Sequence, residues 1–412
     1  MSSGGKTRRR KVLAFRRSTR YRRAVGLRAF LRCAIFHHVF ISTPGPGIRV
    51  PVMGNQPREM SDKSLRLRAA VREDDGFFST FVLRKISRTF TNALVETRIK
   101  PNTVTALSIA LGLLAAYIAS TGKYFTSGVV FLFSLVLDCV DGEIARYKSQ
   151  FSSLGAWLDA LADRVKEFAY IGALAYSTND ARVWWLAIAL VILQTVRHLS
   201  DYNFVKLQKS YEGNRNAPIR SGVGYWVKKI INYPIGERWL LLSLLPLLIS
   251  VVDSLRIILF VGILSFMYVI IARARRIQSW PEKSMPAQFL IMQRDTFIPL
   301  KISGSKISWT IPSFLRACEL LALLIIPLAI SPALQFLLIT SVSLWHYTNL
   351  YDALQERSPR YALAGLRTAG RVGLCFIAYL VGFDAEIVTA LAIYLGLLIL
   401  LRGGHNVARG VA

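Results

Sequence analysis

The sequence is short of the residues that build disulfide frames and zinc sites. Its four cysteines, Cys33, Cys139, Cys318 and Cys375, are scattered in or beside apolar stretches, and no two stand at CxxC or another metal-ligand spacing. The five histidines form no cluster with them. Acid is scarce too: 24 Asp and Glu stand against 52 Lys and Arg, and the first fifty residues hold none. Charge of either sign makes up only 18% of the chain, where soluble domains carry roughly a quarter. These absences argue against a disulfide-stapled domain, a zinc module and an ordinary soluble fold.

Apolar sequence is what the chain has in excess. Hydrophobic residues are 53% of it. Several apolar runs reach about 17–20 residues, enough for a helix to cross a ~30 Å hydrocarbon core. Most runs do not alternate a polar and an apolar face, as surface helices of a soluble bundle would. The expected fold is therefore all-α, a polytopic transmembrane helical protein. The net charge of +28 suits nucleic acid or an anionic membrane surface. Because the basic residues gather between apolar segments, the bilayer is the expected partner and nucleic acid is not.

Residues 1–57 read as a basic arm closed by a Pro/Gly linker, PGPGIRVPVMGNQP. The arm has neither the clean apolar core nor the small-residue cleavage site of a signal peptide. Residues 58–100 suit an amphipathic interfacial region. Spans are expected near 103–120, 125–141, 155–177, 183–200, 238–254 and 255–273, within a core over 101–275. After a connector over 276–312, a C-terminal domain over 313–412 holds spans near 313–329, 332–347, 369–383 and 386–401. With the N-terminus inside, the connections DGEIARYKSQFSS, 206–238, ARARRIQSW and 351–371 face the cytoplasm and are strongly basic. The opposite connections, including a short turn at Asp253, are not.

One stretch carries charge where the bilayer should be: LDCVDGEIARYKSQFSSLGAWLDALADRVKE, from Leu137 to Glu167. Asp138 and Asp141 are three apart, and Asp159 and Asp163 four apart, so each pair shares a helix face. The short connection turns the pairs toward each other at the cytoplasmic edge. Four such carboxylates repel unless cations neutralise them. Hard, oxygen-seeking Mg²⁺ or Mn²⁺ fits, and two such ions about 3.5–4 Å apart clamp a displacement at phosphorus. Gly142 leaves room beside the carboxylates, Ala145 keeps that face shallow, and Gly155 allows a ligand or helix to come close. Arg146 offers a forked donor for phosphate. The competing view pairs the acids with Arg146, Lys148, Arg164 and Lys166 as interfacial charges. That accounts for one or two of the acids, not for four on converging faces.

The run Asp138-x2-Asp141-Gly142-x2-Ala145-Arg146-x8-Gly155-x3-Asp159-x3-Asp163 resembles, without a departure, the signature of the CDP-alcohol phosphatidyltransferase family. The resemblance covers about Asp75 to Arg275. It implies a six-helix core, usually a homodimer, with about four further C-terminal helices here. It implies transfer of a phosphatidyl-type group from a CDP-linked lipid to an alcohol, with release of CMP. Asp138, Asp141, Asp159 and Asp163 would form a binuclear metal site, and Asp163 would take the acceptor proton. Gly142, Ala145, Arg146 and Gly155 would hold the CDP part. Inositol phosphate is the first expected acceptor and glycerol phosphate the second. Transfer from a CDP-linked small alcohol to a lipid is the alternative within the class, and a non-catalytic transporter or lipid-binding scaffold is the alternative outside it. The implied location is a bacterial plasma membrane, with the site on the cytoplasmic side.

Weaker signals surround this motif. Pro101-Asn102-x-x-Thr105 resembles a family feature; Asn102 either approaches the nucleotide or only caps a helix. Arg197 and His198 are candidate acceptor-binding residues, and Arg197 also stands at the right spacing to pair with Asp201. Glu237 and Arg238 read as an interfacial pair and Trp239 as a belt aromatic. Arg316 and Glu319 read as a structural pair. IGERW, IPSFLRACE and LWHYTNLYD look similar to an uncharacterised membrane extension of actinobacterial family members.

Overall fold

The computed structural model describes residues 62–71, 75–150, 153–212, 222–278, 280, 308–354 and 364–408. The expected basic arm and linker, and most of the expected connector, lie outside them. Among the described residues there is no strand. A short helix α1 (Asp62–Ala69) precedes a π-helical turn (Ser79–Leu83) that runs into α2 (Arg84–Leu94). The core follows as α3 (Pro101–Ser120), α4 (Tyr124–Tyr147), α5 (Ser153–Thr178), α6 (Ala181–Glu212), α7 (Val223–Ile231), α8 (Ile235–Leu248) and α9 (Val251–Ile277). The C-terminal group is α10 (Ile311–Ile325), α11 (Pro332–Leu354), α12 (Arg367–Val381) and α13 (Asp384–Ala408).

By length and composition, α3, Ala181–Val205 of α6, α9, and Asp384–Gly403 of α13 can each cross a membrane. The protein is thus an integral membrane protein. The other expected spans fall on helices that are not among these four, α11 with its 23 residues included. Helices α8, α10 and α12 have 14, 15 and 15 residues. Helices α4 and α5 carry the charges of the motif.

Boundaries follow local chemistry. Pro101 opens α3 at a position where its missing N–H costs nothing, after an extended Lys100. The turn expected at Asp253 falls instead at Ile249 and Ser250. Ser250 Oγ accepts from the Asp253 N–H at 3.1 Å, which makes Ser250 the N-cap and draws Asp253 into the first turn of α9. There Asp253 pairs with Arg256 at 3.0 Å. Helix α4 continues past its expected end to Tyr147, so Gly142, Ala145 and Arg146 are helical rather than looped.

Helix α3 packs along both α4 and α5 and joins the two motif-bearing helices. Aromatic stacking fills the layer beneath the site: Phe131 of α4 lies between Tyr170 of α5, at 4.0 Å, and Trp239 of α8, at 4.2 Å. Trp239 is fully buried, so it is a core residue and not the expected belt aromatic. Its neighbours are also inward. Arg238 Nε donates to Glu167 Oε1 at 2.8 Å, and Glu237 accepts from the Phe78 N–H at 3.1 Å, so the two do not form the expected interfacial pair. The C-terminal group docks through α11, which packs on α5 and α6. A Cβ at Gly172 of α5 would stand 2.7 Å from the Phe336 ring of α11, which explains the glycine at this crossing.

Helix α2 turns its polar stripe inward. Arg84 Nη1, Ser87 Oγ and Thr91 Oγ1 donate to buried Glu143 of α4 at 2.8, 2.8 and 2.6 Å. Phe81, Val82, Ile86 and Phe90 face outward, as suits a helix bordered by lipid. Removing one partner of a buried pair costs about 3 kcal/mol or more. Glu143→Ala is therefore expected to loosen α2 from α4, read as faster limited proteolysis within 75–98 and a lower unfolding midpoint in detergent.

Candidate active site

Helices α4 and α5 bring the carboxylates together. One oxygen each from Asp138, Asp141 and Asp159 lies within 4.8 Å of the others. Asp163 follows one turn after Asp159 on the same stripe but stands outside that triad. Its side chain is 18% exposed, against 13% for Asp138, so both rim the site. Asp159 Oδ1 is buried with no hydrogen-bond donor, whereas Asp163 Oδ1 has the Lys166 ammonium 3.2 Å away. A bare carboxylate oxygen in a converging all-oxygen set is costly unless a cation sits among the oxygens. The residues fit a hard divalent ion such as Mg²⁺ or Mn²⁺.

Two side chains that the motif does not contain complete the cluster. Thr105 of α3 donates to Asp141 Oδ2 at 2.5 Å. In the Pro101-Asn102-x-x-Thr105 run it is thus the threonine that reaches the carboxylates, while Asn102 is exposed at the start of α3. Lys166 of α5 is fully buried; its Nζ donates to Asp138 Oδ1 at 2.7 Å and lies 3.2 Å from Asp163 Oδ1. Among the bases considered as simple ion-pair partners, Lys148 donates to the Thr97 and Ile99 carbonyls at 2.8 Å each, and Arg164 to Glu167 at 2.7 Å. Of these three, Lys166 is the one that reaches the motif aspartates at hydrogen-bond length among the described contacts; its signal in the sequence was the extension of the 159/163 stripe by one further turn.

The residues expected to hold CDP line the last turns of α4 and the start of α5. Gly142, Ala145, Arg146 and Gly155 are all half-buried. Arg146 Nε donates to the Ala70 carbonyl, and its guanidinium folds beside Gly142. A Cβ at Gly142 would stand 3.2 Å from Arg146 Nη1, so the glycine gives the guanidinium its place. Arg66 of α1 stacks over Tyr147 at 4.5 Å and donates to its carbonyl at 3.1 Å, which brings α1 to the end of α4.

Arg197 is buried and His198 half-buried, both within α6. Arg197 donates to Ser265 Oγ at 3.0 Å and to the Asn232 carbonyl, and stands 3.9 Å from Asp201. It ties α6 to α9 and to the end of α7. Asp201 is held more closely by Arg273, at 2.6 Å. His198 Nδ1 is 3.5 Å from Arg164 Nη1, and its ring packs on Tyr347 and Tyr202. Arg164 and Arg238 share Glu167, with Arg238 Nη2 at 3.1 Å from Oε2. The basic groups on this side are mostly occupied by protein partners.

Residues 98–267 match the family model described as CDP-alcohol phosphatidyltransferase. A bifunctional IPC transferase and DIPP synthase of Thermococcus kodakarensis is 31% identical over 135 residues, covering 32% of this chain and 31% of that protein. A phosphatidylinositol phosphate synthase of Mycobacteroides abscessus is 32% identical over 113 residues, covering 27% of this chain and 48% of that protein. The chain thus spans less than half the length of these curated relatives. The crystal structure of Mycobacterium tuberculosis phosphatidylinositol phosphate synthase with CDP-DAG bound aligns with a TM-score of 0.33 at 20% identity, over 48% of this chain and 96% of that one. Residues 98–267, which hold the aspartate cluster, belong to the CDP-alcohol phosphatidyltransferase family.

Proposed function

We propose that the protein transfers a phosphatidyl-type group from a CDP-diacylglycerol-type lipid to an alcohol and releases CMP, at the cytoplasmic face of a bacterial plasma membrane. The observation that carries this reading is the convergence of Asp138, Asp141 and Asp159, with a bare buried Asp159 oxygen, inside a family-matching region. Divalent ions held by these aspartates and by Asp163, two in the full site, would supply charge neutralisation for the diphosphate and the departing CMP. Arg146 and the shallow surface of Gly142, Ala145 and Gly155 receive the CDP part. Asp163, on the rim and one turn from Asp159, takes the proton of the acceptor hydroxyl. The acceptor oxygen forms a bond to the lipid-side phosphorus, and the bridging P–O bond to CMP breaks.

The acceptor is proposed to be inositol phosphate, with glycerol phosphate second. The name of the phosphatidylinositol phosphate synthase relative and the basic inner connections support this order. Membranes holding the protein are given CDP-diacylglycerol, Mg²⁺ or Mn²⁺, and inositol phosphate, glycerol phosphate, inositol or serine in turn. CMP release is expected with inositol phosphate and is expected to vanish with EDTA. Release no faster than the EDTA blank with every acceptor overturns the reading, and release with serine alone replaces the acceptor.

A further inference from the structure

Lys166 is a strange neighbour for a metal site. A buried ammonium beside carboxylates occupies space and charge that a divalent ion would use. Its placement is nonetheless built in. The aliphatic stem crosses α3 at Gly112, where a Cβ would lie 2.6 Å from both Cγ and Cδ, so that crossing requires glycine. The Nζ donates to Ser108 Oγ of α3 at 3.0 Å as well as to Asp138. The Trp239 ring stands 5.2 Å from it. Three helices and an aromatic face hold this ammonium.

We propose that Lys166 is a resident counter-ion for Asp138 and Asp163 that keeps the second metal position closed until a diphosphate-bearing ligand arrives. This rests on the transferase reading for the identity of that ligand. The three-carboxylate set of Asp138, Asp141 and Asp159 forms one ion site without Asp163. Asp163 is turned to Lys166 instead. Charge balance favours this division. Four carboxylates, one ammonium and one divalent ion leave a single net negative charge. A second divalent ion would reverse that sign in a poorly solvated site, and a diphosphate would restore it. The ammonium also has somewhere to stay when Asp163 turns away. Ser108 Oγ and the Trp239 face remain, so it is not left bare. Lys166 is in this sense a positioning residue, since it acts through the carboxylates it pairs.

Purified full-length protein in detergent is titrated with Mn²⁺, with bound ion counted by loss of the free-ion signal in electron paramagnetic resonance. Wild type is expected to bind one tight ion per chain with Mn²⁺ alone and two when CDP is added. Lys166→Met is expected to bind two with Mn²⁺ alone, the second about tenfold tighter or more than in wild type. Lys166→Arg keeps the charge and is expected to behave as wild type in the first titration. Gly112→Ala, which pushes on the stem and leaves Lys166 in the chain, is a second route to the same two-ion behaviour should the methionine variant fold poorly. Two tight ions in wild type without CDP overturn the proposal. So does a count and affinity unchanged in both Lys166→Met and Gly112→Ala. CMP release by wild type, measured separately, judges the transferase reading: an active wild type with unchanged variant ion counts sinks only the role of Lys166.

Discussion

Asp159→Asn is expected to lower CMP release by about 10³-fold or more while leaving the fold intact. A metal ion's stabilisation of transition-state charge is worth several kcal/mol, and each 1.36 kcal/mol is about tenfold in rate. Asparagine fills the same space but removes a negative charge from the centre of the triad. It also replaces an oxygen that lies buried without any donor. In the absence of metal the substitution relieves repulsion among the carboxylates. The unfolding midpoint in EDTA is therefore expected to stay level or rise, and the Mn²⁺ affinity to fall. A loss of CMP release accompanied by a lower midpoint in EDTA would mean that Asp159 serves the fold, and the metal assignment would fail.

Glu319→Ala is expected to produce the largest loss of stability, about 3–5 kcal/mol, through the C-terminal helices. Glu319 of α10 is fully buried and stands at the centre of four groups from three helices. Arg371 Nε of α12 donates to Oε1 at 2.6 Å, and Thr368 Oγ1 to Oε2 at 2.7 Å. Arg316 Nη1 lies 3.4 Å and His346 Nε2 of α11 3.1 Å from Oε2. Arg371 is itself fully buried and also donates to the Gly365 carbonyl at 2.5 Å. Among the described residues Glu319 is the carboxylate that these two buried guanidinium groups share, and removing one partner of a buried ion pair is the costly case. Thermal unfolding in detergent measures the loss. The double variant Glu319→Leu with Arg371→Met is expected to recover part of it, because an apolar replacement removes both charges together. A single variant within about 0.5 kcal/mol of wild type would show that the cluster bears no weight.

The spacing of the motif made most of the site legible. Helical periodicity alone puts Asp138 beside Asp141 and Asp159 beside Asp163, and a short connection turns the pairs together. The Arg316–Glu319 pair was legible for the same reason, although its further partners were not. Misreadings arose where a residue's neighbour is distant in sequence. Glu237 and Arg238 are adjacent and opposite in charge, yet each serves a different helix. Trp239 looked suited to the interface because it follows charges, but Phe131 takes it into the core. The turn before α9 moved by several residues because Ser250, not the aspartate, caps the start of α9.

From the sequence alone came the all-helical class, the membrane character, the family resemblance over about Asp75 to Arg275 and the stripe on which each aspartate stands. These depend on local periodicity, apolar run length and a motif of fixed spacing, all of which survive without knowing any crossing. Tertiary structure decided that Asp138, Asp141 and Asp159 form the close set, that Asp163 turns to Lys166, and that Thr105 rather than Asn102 reaches the cluster. It also decided that α11 seats against α5 at Gly172. Such choices depend on where α3 crosses its neighbours, and a crossing is set by the shapes of whole helices, which no short stretch of sequence encodes.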